Sequence, residues 1–109
     1  STPTGSTAYS LAAGGSVLTP DINAFILTPI CAHSLHSRPV VFSDKSILKL
    51  KPLDAAAPLG LIVDGKAVGT VENGQTVYVT KAKHAVTFIT KDDKNFFNKL
   101  LIKLNIWSK

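Results

Sequence analysis

The sequence predicts a mainly β protein with one short helix near its start and one helix at its end. Three observations carry this. Apolar and polar residues alternate with period two in several short runs, the turn-forming dipeptides Asp64-Gly65 and Asn73-Gly74 separate such runs, and the period becomes helical over Phe96 to Leu104. About six or seven strands follow from these signals. A length of 109 residues with 45% hydrophobic content suits a single domain with a modest core, and 17% charged residues with evenly spread aliphatics exclude wholesale disorder.

Along the chain, Thr2 to Thr7 is a loop by composition. Ala8 to Ala13 then reads as a short helix, capped from the hydroxyls of Ser6 and Thr7 and stopped by Gly14-Gly15. Ala24 to Thr28, apolar and partly β-branched or aromatic, is a buried strand ending at Pro29. Val40 to Phe42 is a shorter strand. Ser46 to Lys51 places Leu48 and Leu50 on one face and Lys49 and Lys51 on the other, as a half-exposed strand does. Leu61 to Val63, Ala67 to Glu72 and Gln75 to Lys81 are then joined by Asp64-Gly65 and Asn73-Gly74. Both dipeptides tolerate the positive φ angles of two-residue hairpins, which predicts two successive hairpins in an antiparallel meander. His84 to Thr90 alternates again and adds a strand of unreadable register. In the last segment Phe96, Phe97, Leu100, Leu101 and Leu104 share one side of a helix, with Lys99 and Lys103 away from it; the stripe reads as core or subunit contact. Asp92 or Asp93 is its expected cap, and Trp107 follows in a tail.

Net charge is +5, and seven of the twelve basic residues (Lys81, Lys83, Lys91, Lys94, Lys99, Lys103, Lys109) fall in the last third. Such a balance favours polyanions, among them nucleic acid, nucleotide phosphates or an acidic membrane surface, although a solvated helix face explains most such clusters. No apolar run reaches the roughly 18 to 20 residues that span a bilayer, and Ser1 to Gly5 lacks the regions of a secretory leader, so a soluble, cytoplasmic protein is expected. Cys31 stands alone, so no intrachain disulfide or cysteine-pair zinc site can form.

Several residues admit a functional reading. In the first loop, Gly5 lets backbone approach a ligand, the hydroxyls of Thr4, Ser6 and Thr7 can donate or accept, and N–H groups at a helix start favour an anion. A capped loop without ligand would have the same composition. Cys31 is either a reactive thiol or, in its apolar stretch, a small buried residue; the latter is preferred. His33 and His36 have a His-x-x-His spacing, but Pro29 and Pro39 argue for a loop, where no metal site is expected. Arg38, the sole arginine, could fork onto a phosphate or carboxylate, or serve as a structural ion pair or a carbonyl clamp at the Arg-Pro turn. Asp64 either accepts a ribose hydroxyl or only shapes its hairpin.

The string Thr2-Pro3-Thr4-Gly5-Ser6-Thr7-Ala8-Tyr9-Ser10, continuing through Leu11 to Gly15, closely resembles the TPTGSTAY signature of NAD kinases. Leu27 to Leu35, followed by Arg38-Pro39-Val40-Val41, resembles a second carboxy-terminal signature of the same family, and Val63-Asp64-Gly65 resembles a further acidic turn. The resemblance implies an antiparallel β-sandwich-like carboxy-terminal domain. It implies that Thr7, Ala8 and Tyr9 line an NAD pocket, with Thr7 on an adenine edge and Tyr9 as an aromatic wall. Ala12 occupies a place where some members carry serine, Cys31 approaches the dinucleotide of a partner subunit, and Asp64 and Gly65 complete the NAD-binding set. Ala32 departs from the proline common at that spot. Thr4, Gly5 and Ser6 form the nucleotide loop. The family is similar to diacylglycerol and sphingosine kinases in having an amino-terminal α/β domain with a Gly-Gly-Asp-Gly loop and a later Asn-Glu pair. Neither string occurs in residues 1–109, so these residues are expected to be part of the carboxy-terminal domain and to lack catalytic groups.

For the intact enzyme the resemblance implies transfer of a phosphoryl group from ATP or polyphosphate to the 2'-hydroxyl of the adenosine ribose of NAD, giving NADP. Magnesium or another divalent cation accompanies the donor. Residues 1–109 alone are expected to be inactive and to self-associate as a homodimer or homotetramer. Two other readings stand beside this one. A basic β module binding nucleic acid needs exposed aromatics among basic residues, for which only Tyr78 and Phe88 are candidates. A structural oligomerisation module would retain the first loop only for packing.

Overall fold

Short apolar runs punctuated by Gly, Pro and Asx residues are extended wherever they find a partner edge, and that governs the computed structural model, which describes residues 1–90 and 95–107. The architecture is mainly antiparallel β with a short helical segment at one end and a longer helix at the other, as predicted. A 3-10 turn over Thr4–Thr7 leads into a single helical turn, α1 (Tyr9–Ala12). Gly14, at φ 89°, ends it as expected of a glycine stop. The expected hydroxyl cap is not formed. Instead the Ser6 hydroxyl, wholly buried, donates to the Pro3 carbonyl at 2.6 Å and accepts from the Leu18 amide at 2.9 Å, because the 3-10 turn rotates it inward away from the start of α1.

Strand β1 (Ala24–Leu27) pairs antiparallel with β2 (Val40–Ser43) in the register Ala24↔Ser43 to Leu27↔Val40. β1 stops one residue short of the predicted Thr28, whose side chain turns to meet Ser10. Phe25 and Phe42 meet edge to face with centroids 5.9 Å apart. Ala24 and Ile26 alternate inward and join Leu18 in the core. Ile26 is 2% exposed, and burying such a side chain stabilises by about 1.5–3 kcal/mol.

β4 (Leu59–Val63) and β5 (Lys66–Val71) form the predicted hairpin, with Asp64 and Gly65 at φ 49° and 78°. Both central residues thus take the positive φ that a type I′ turn needs. A register shift between Leu61 and Ile62 marks a bulge. The predicted second hairpin does not form. β6 (Val77–Val79) pairs with β3 (Leu48–Leu50), not with β5, so the strands make three two-stranded ribbons in place of a meander. At the turn itself Gly74 takes φ 88° but Asn73 does not reach positive φ. The Asn73 amide is occupied elsewhere, accepting from the Ala55 amide at 3.0 Å and donating to the Ala55 carbonyl at 2.9 Å. That clasp turns the chain toward residues 51–58 and past β5.

The predicted strand from His84 to Thr90 is not formed; residues 80–90 belong to no strand. Val86, Phe88 and Ile89 are exposed there, Ile89 at 98%. Alternation alone does not make a strand without an edge to pair with. The second helix, α2 (Phe96–Trp107), reaches Trp107, which is therefore helical and not in a tail. Capping by Asp92 or Asp93 lies outside the described residues, and the Asn95 carboxamide oxygen accepts from the Phe97 amide at 3.0 Å as a helix cap does. Of the predicted stripe, Phe96, Leu100 and Leu104 are half-buried while Phe97 and Leu101 stay exposed. The β1–β2 and β3–β6 ribbons are tied where Lys81 donates to the buried Asp44 carboxylate at 2.5 Å.

Candidate functional site

Two segments about twenty residues apart in the chain converge on one concavity of about 310 Å³. α1 and its stop supply Tyr9, Ala12 and Ala13; the loop after β1 supplies Ile30 and Cys31. The Tyr9 ring is 69% exposed and forms an open aromatic wall. Cys31 is also exposed, at φ 50°, which corrects its reading as a small buried residue: the left-handed backbone after Pro29 and Ile30 turns it outward. The two segments are joined by Ser10 and Thr28, whose hydroxyl oxygens are 2.8 Å apart. Gly15 packs against this pair, its amide donating to the Ser10 carbonyl at 2.7 Å. Such a wall of one ring, small side chains and one branched aliphatic suits a flat, partly apolar ligand more than a charged one.

The other residues singled out from sequence are distributed differently. Thr7 and Ala8 line a second concavity of about 400 Å³, shared with Phe96, Lys99, Leu100, Lys103 and Leu104 of α2. Two lysines one helical turn apart give that groove a positive rim. Thr4, Gly5 and Ser6 form the 3-10 turn, in which the Gly5 amide donates to the Thr2 hydroxyl at 3.1 Å and the Ser6 hydroxyl is spent on the fold. Asp64 and Gly65 lie at the tip of the β4–β5 hairpin and line neither concavity. A larger, mostly apolar cavity of about 730 Å³ lies against β1, β2, β3 and β6, with Phe25, Phe42, Leu48 and Val79 in its walls.

Arg38 donates to the carbonyls of Leu35 at 2.9 Å and Ser37 at 3.0 Å, which makes it a carbonyl clamp. Among the described residues no three His, Cys, Asp or Glu side chains gather as a metal-ligand set. Asp21 has its carboxyl held below the usual range, chiefly by the Thr19 hydroxyl and then by its own amide, and it lines no concavity near Tyr9. Ile30, Ala13 and the Ser10–Thr28 pair escaped the sequence reading. The visible signal for the pair was two small hydroxyl residues, each next to a predicted lining segment, but nothing in the spacing says that they meet.

The geometry can be set beside known proteins. The family described as the ATP-NAD kinase C-terminal domain matches over residues 1–91. The NAD kinase of Photorhabdus laumondii subsp. laumondii is 42% identical over 108 residues, covering 99% of this chain and 37% of that protein. The NAD kinase of Sulfurimonas denitrificans is 46% identical over 104 residues, covering 95% of this chain and 36% of that protein. This chain thus spans little more than a third of the length of these relatives. Among solved structures, yeast NADH kinase complexed with NADH superposes with a TM-score of 0.64 at 41% identity, over 72% of this chain and 22% of that one.

Proposed function

The chain belongs to the ATP-NAD kinase C-terminal domain family, and on that premise we propose that it supplies one wall of the dinucleotide site of an NAD kinase. In that enzyme the 2'-hydroxyl oxygen of the adenosine ribose of NAD attacks the terminal phosphorus of ATP or polyphosphate. The new O–P bond forms as the bridging P–O bond of the donor breaks, and the hydroxyl proton leaves to a base. None of the residues proposed to line the site in this chain is a base of that kind. Its part is recognition: Tyr9 stacks against or edges the adenine, Ala12 leaves room for it, and Ile30 and Cys31 close the far side, while Thr7 and Ala8, proposed with them, open onto the separate groove against α2.

The carrying observation is the concavity in which Tyr9, Ala12 and Cys31, from two sequence segments, face one space. Thr4, Gly5 and Ser6 act through the shape of the turn that presents this wall. Asp64 and Gly65 belong to the same proposal only if another copy or another part of the protein brings the hairpin tip to the ligand. Self-association as a homodimer or homotetramer is part of the reading, supported by exposed apolar residues on the ribbons such as Val40, Ile62 and Val68. Residues 1–109 alone are proposed to have no turnover. A cytoplasmic location is proposed with it; no described helix is long and apolar enough to cross a membrane.

The test is calorimetric titration of NAD into the natural protein that contains this sequence, with Tyr9→Ala beside the parent. Loss of an aromatic wall of about 0.5–1.5 kcal/mol should weaken binding roughly two- to tenfold. Unchanged affinity in Tyr9→Ala, with the protein folded, would remove the concavity from the site.

A further inference from the structure

Two short segments face each other across the concavity, and both are inherently loose. α1 is a single turn, and residues 28–39 form no regular structure. A one-turn helix is not stable by itself, so the position of Tyr9 and Ala12 relative to Ile30 and Cys31 must be set by whatever ties the segments together. The tie in the structure is the Ser10–Thr28 hydroxyl pair at 2.8 Å, spanning 18 residues of sequence. Ser10 adjoins Tyr9 and stands two residues before Ala12; Thr28 stands two residues before Ile30. We propose that Ser10 and Thr28 are positioning residues for the dinucleotide site: their mutual hydrogen bond sets the separation of its two walls, without either hydroxyl touching the ligand. This rests on the reading of the concavity as part of the NAD site.

Three features make the pair a spacer and not an incidental contact. Ser10 is buried, so its hydroxyl has little water to fall back on, and a buried hydroxyl that loses its partner bears a desolvation cost. The pair is enclosed on a further side by Gly15. A Cβ placed there would come 2.7 Å from both the Ser10 carbonyl oxygen and the Thr28 hydroxyl oxygen, and closer still to the Ser10 hydroxyl, so the glycine is required for space. Lastly, a hydroxyl–hydroxyl bond holds its oxygens at a narrow distance, whereas apolar side chains in the same place would pack about 1 Å farther apart. Ser10 and Thr28 each have one donor and acceptor capacity, so either direction of the bond satisfies both.

Steady-state kinetics of the natural protein that contains this sequence test the proposal, using Ser10→Ala, Thr28→Val, Thr28→Ser and the Ser10→Ala/Thr28→Val double variant. A hydrogen bond of ordinary net strength predicts that Ser10→Ala and Thr28→Val each raise KM for NAD about three- to tenfold. The kcat and the KM for the phosphoryl donor should stay within about twofold, which a general loss of stability would not produce. Thr28→Ser, which keeps the hydroxyl, should restore the parent KM, and the double variant should be no worse than the poorer single one, since both remove the same bond. The proposal is overturned if NAD KM is unmoved in both single variants, if Thr28→Ser is as impaired as Thr28→Val, or if the double variant shows the summed effect. Should Thr28→Val not fold, Ser10→Ala against Thr28→Ser makes the same comparison. Tyr9→Ala and Ala12→Phe separate the two levels. If they leave NAD KM unchanged, the site itself is misplaced; if they raise it while Ser10→Ala and Thr28→Val do not, only the spacer fails.

Discussion

A methyl group at position 15 has nowhere to go. Gly15 is buried between the Ser10 carbonyl and the Thr28 hydroxyl, each 2.7 Å from where a Cβ would sit. One of these neighbours is backbone, so relief requires α1 and the start of the following loop to part. Gly15→Ala is therefore expected to destabilise by about 1–3 kcal/mol, the usual range for overpacking, measured as a lowered urea midpoint with unchanged slope. Gly14, one residue earlier, differs in kind: it needs φ 89° but has open space around it. Composition shows two adjacent glycines that end a helix. It does not show that one serves backbone conformation and the other close approach, because that depends on Thr28, which arrives from elsewhere in the chain. The same holds for Ser6. A hydroxyl beside a helix start reads locally as a cap, but its burial beneath Leu18 redirects it to the Leu18 amide.

At the scale of elements, the turns divide by how many residues must take positive φ. Asp64-Gly65 has two such residues and closes a hairpin; Asn73-Gly74 has one and does not. The dipeptides are nearly equivalent in sequence, and the difference lies in the Asn73 side chain being held by Ala55 from 18 residues away. α2 was legible in its period, since Phe96, Leu100 and Leu104 recur at intervals of four and are the covered ones. Its cap was not foreseen, because Asn95 competes with two aspartates just before it, and only geometry picks among adjacent Asx residues. Asn95→Ala should lower the stability of α2 by about 1 kcal/mol. Amide hydrogen exchange should then accelerate roughly fivefold in the first turn of α2 while β1 and β2 keep their protection. Equal rates in the parent and the variant would show that Asn95 does not cap the helix.

For the molecule as a whole, the buried hydrophobic residues are few: Leu18, Ala24, Ile26 and Val71 among the described residues. Three two-stranded ribbons leave apolar side chains on Val40, Leu59, Ile62 and Val68 in contact with water. A two-stranded ribbon is marginal without a further packed layer, so these faces call for a cover. Residues 1–109 prepared alone are expected to associate at micromolar concentration. Sedimentation equilibrium would read this as an average mass rising with concentration above the 11.6 kDa of one chain. A concentration-independent mass of one chain would show that the exposed apolar faces are tolerated in water.

Local pattern along the chain was enough for the fold class, the places of six strands, the β4–β5 hairpin, the period of α2 and, through two strings over the first two-fifths of the chain, membership of the family. These are properties of neighbours along the chain, where propensity, turn chemistry and motif spacing act directly. Long-range packing set the rest: β6 pairs with β3, His84 to Thr90 stays outside any strand, Thr7 and Ala8 face α2 while Tyr9 and Ala12 face Cys31, and Asp64 stands apart from both. Each of these turns on which distant segment reaches a given edge or hydroxyl first. That competition is settled by packing across 18 or more residues, to which local pattern is blind.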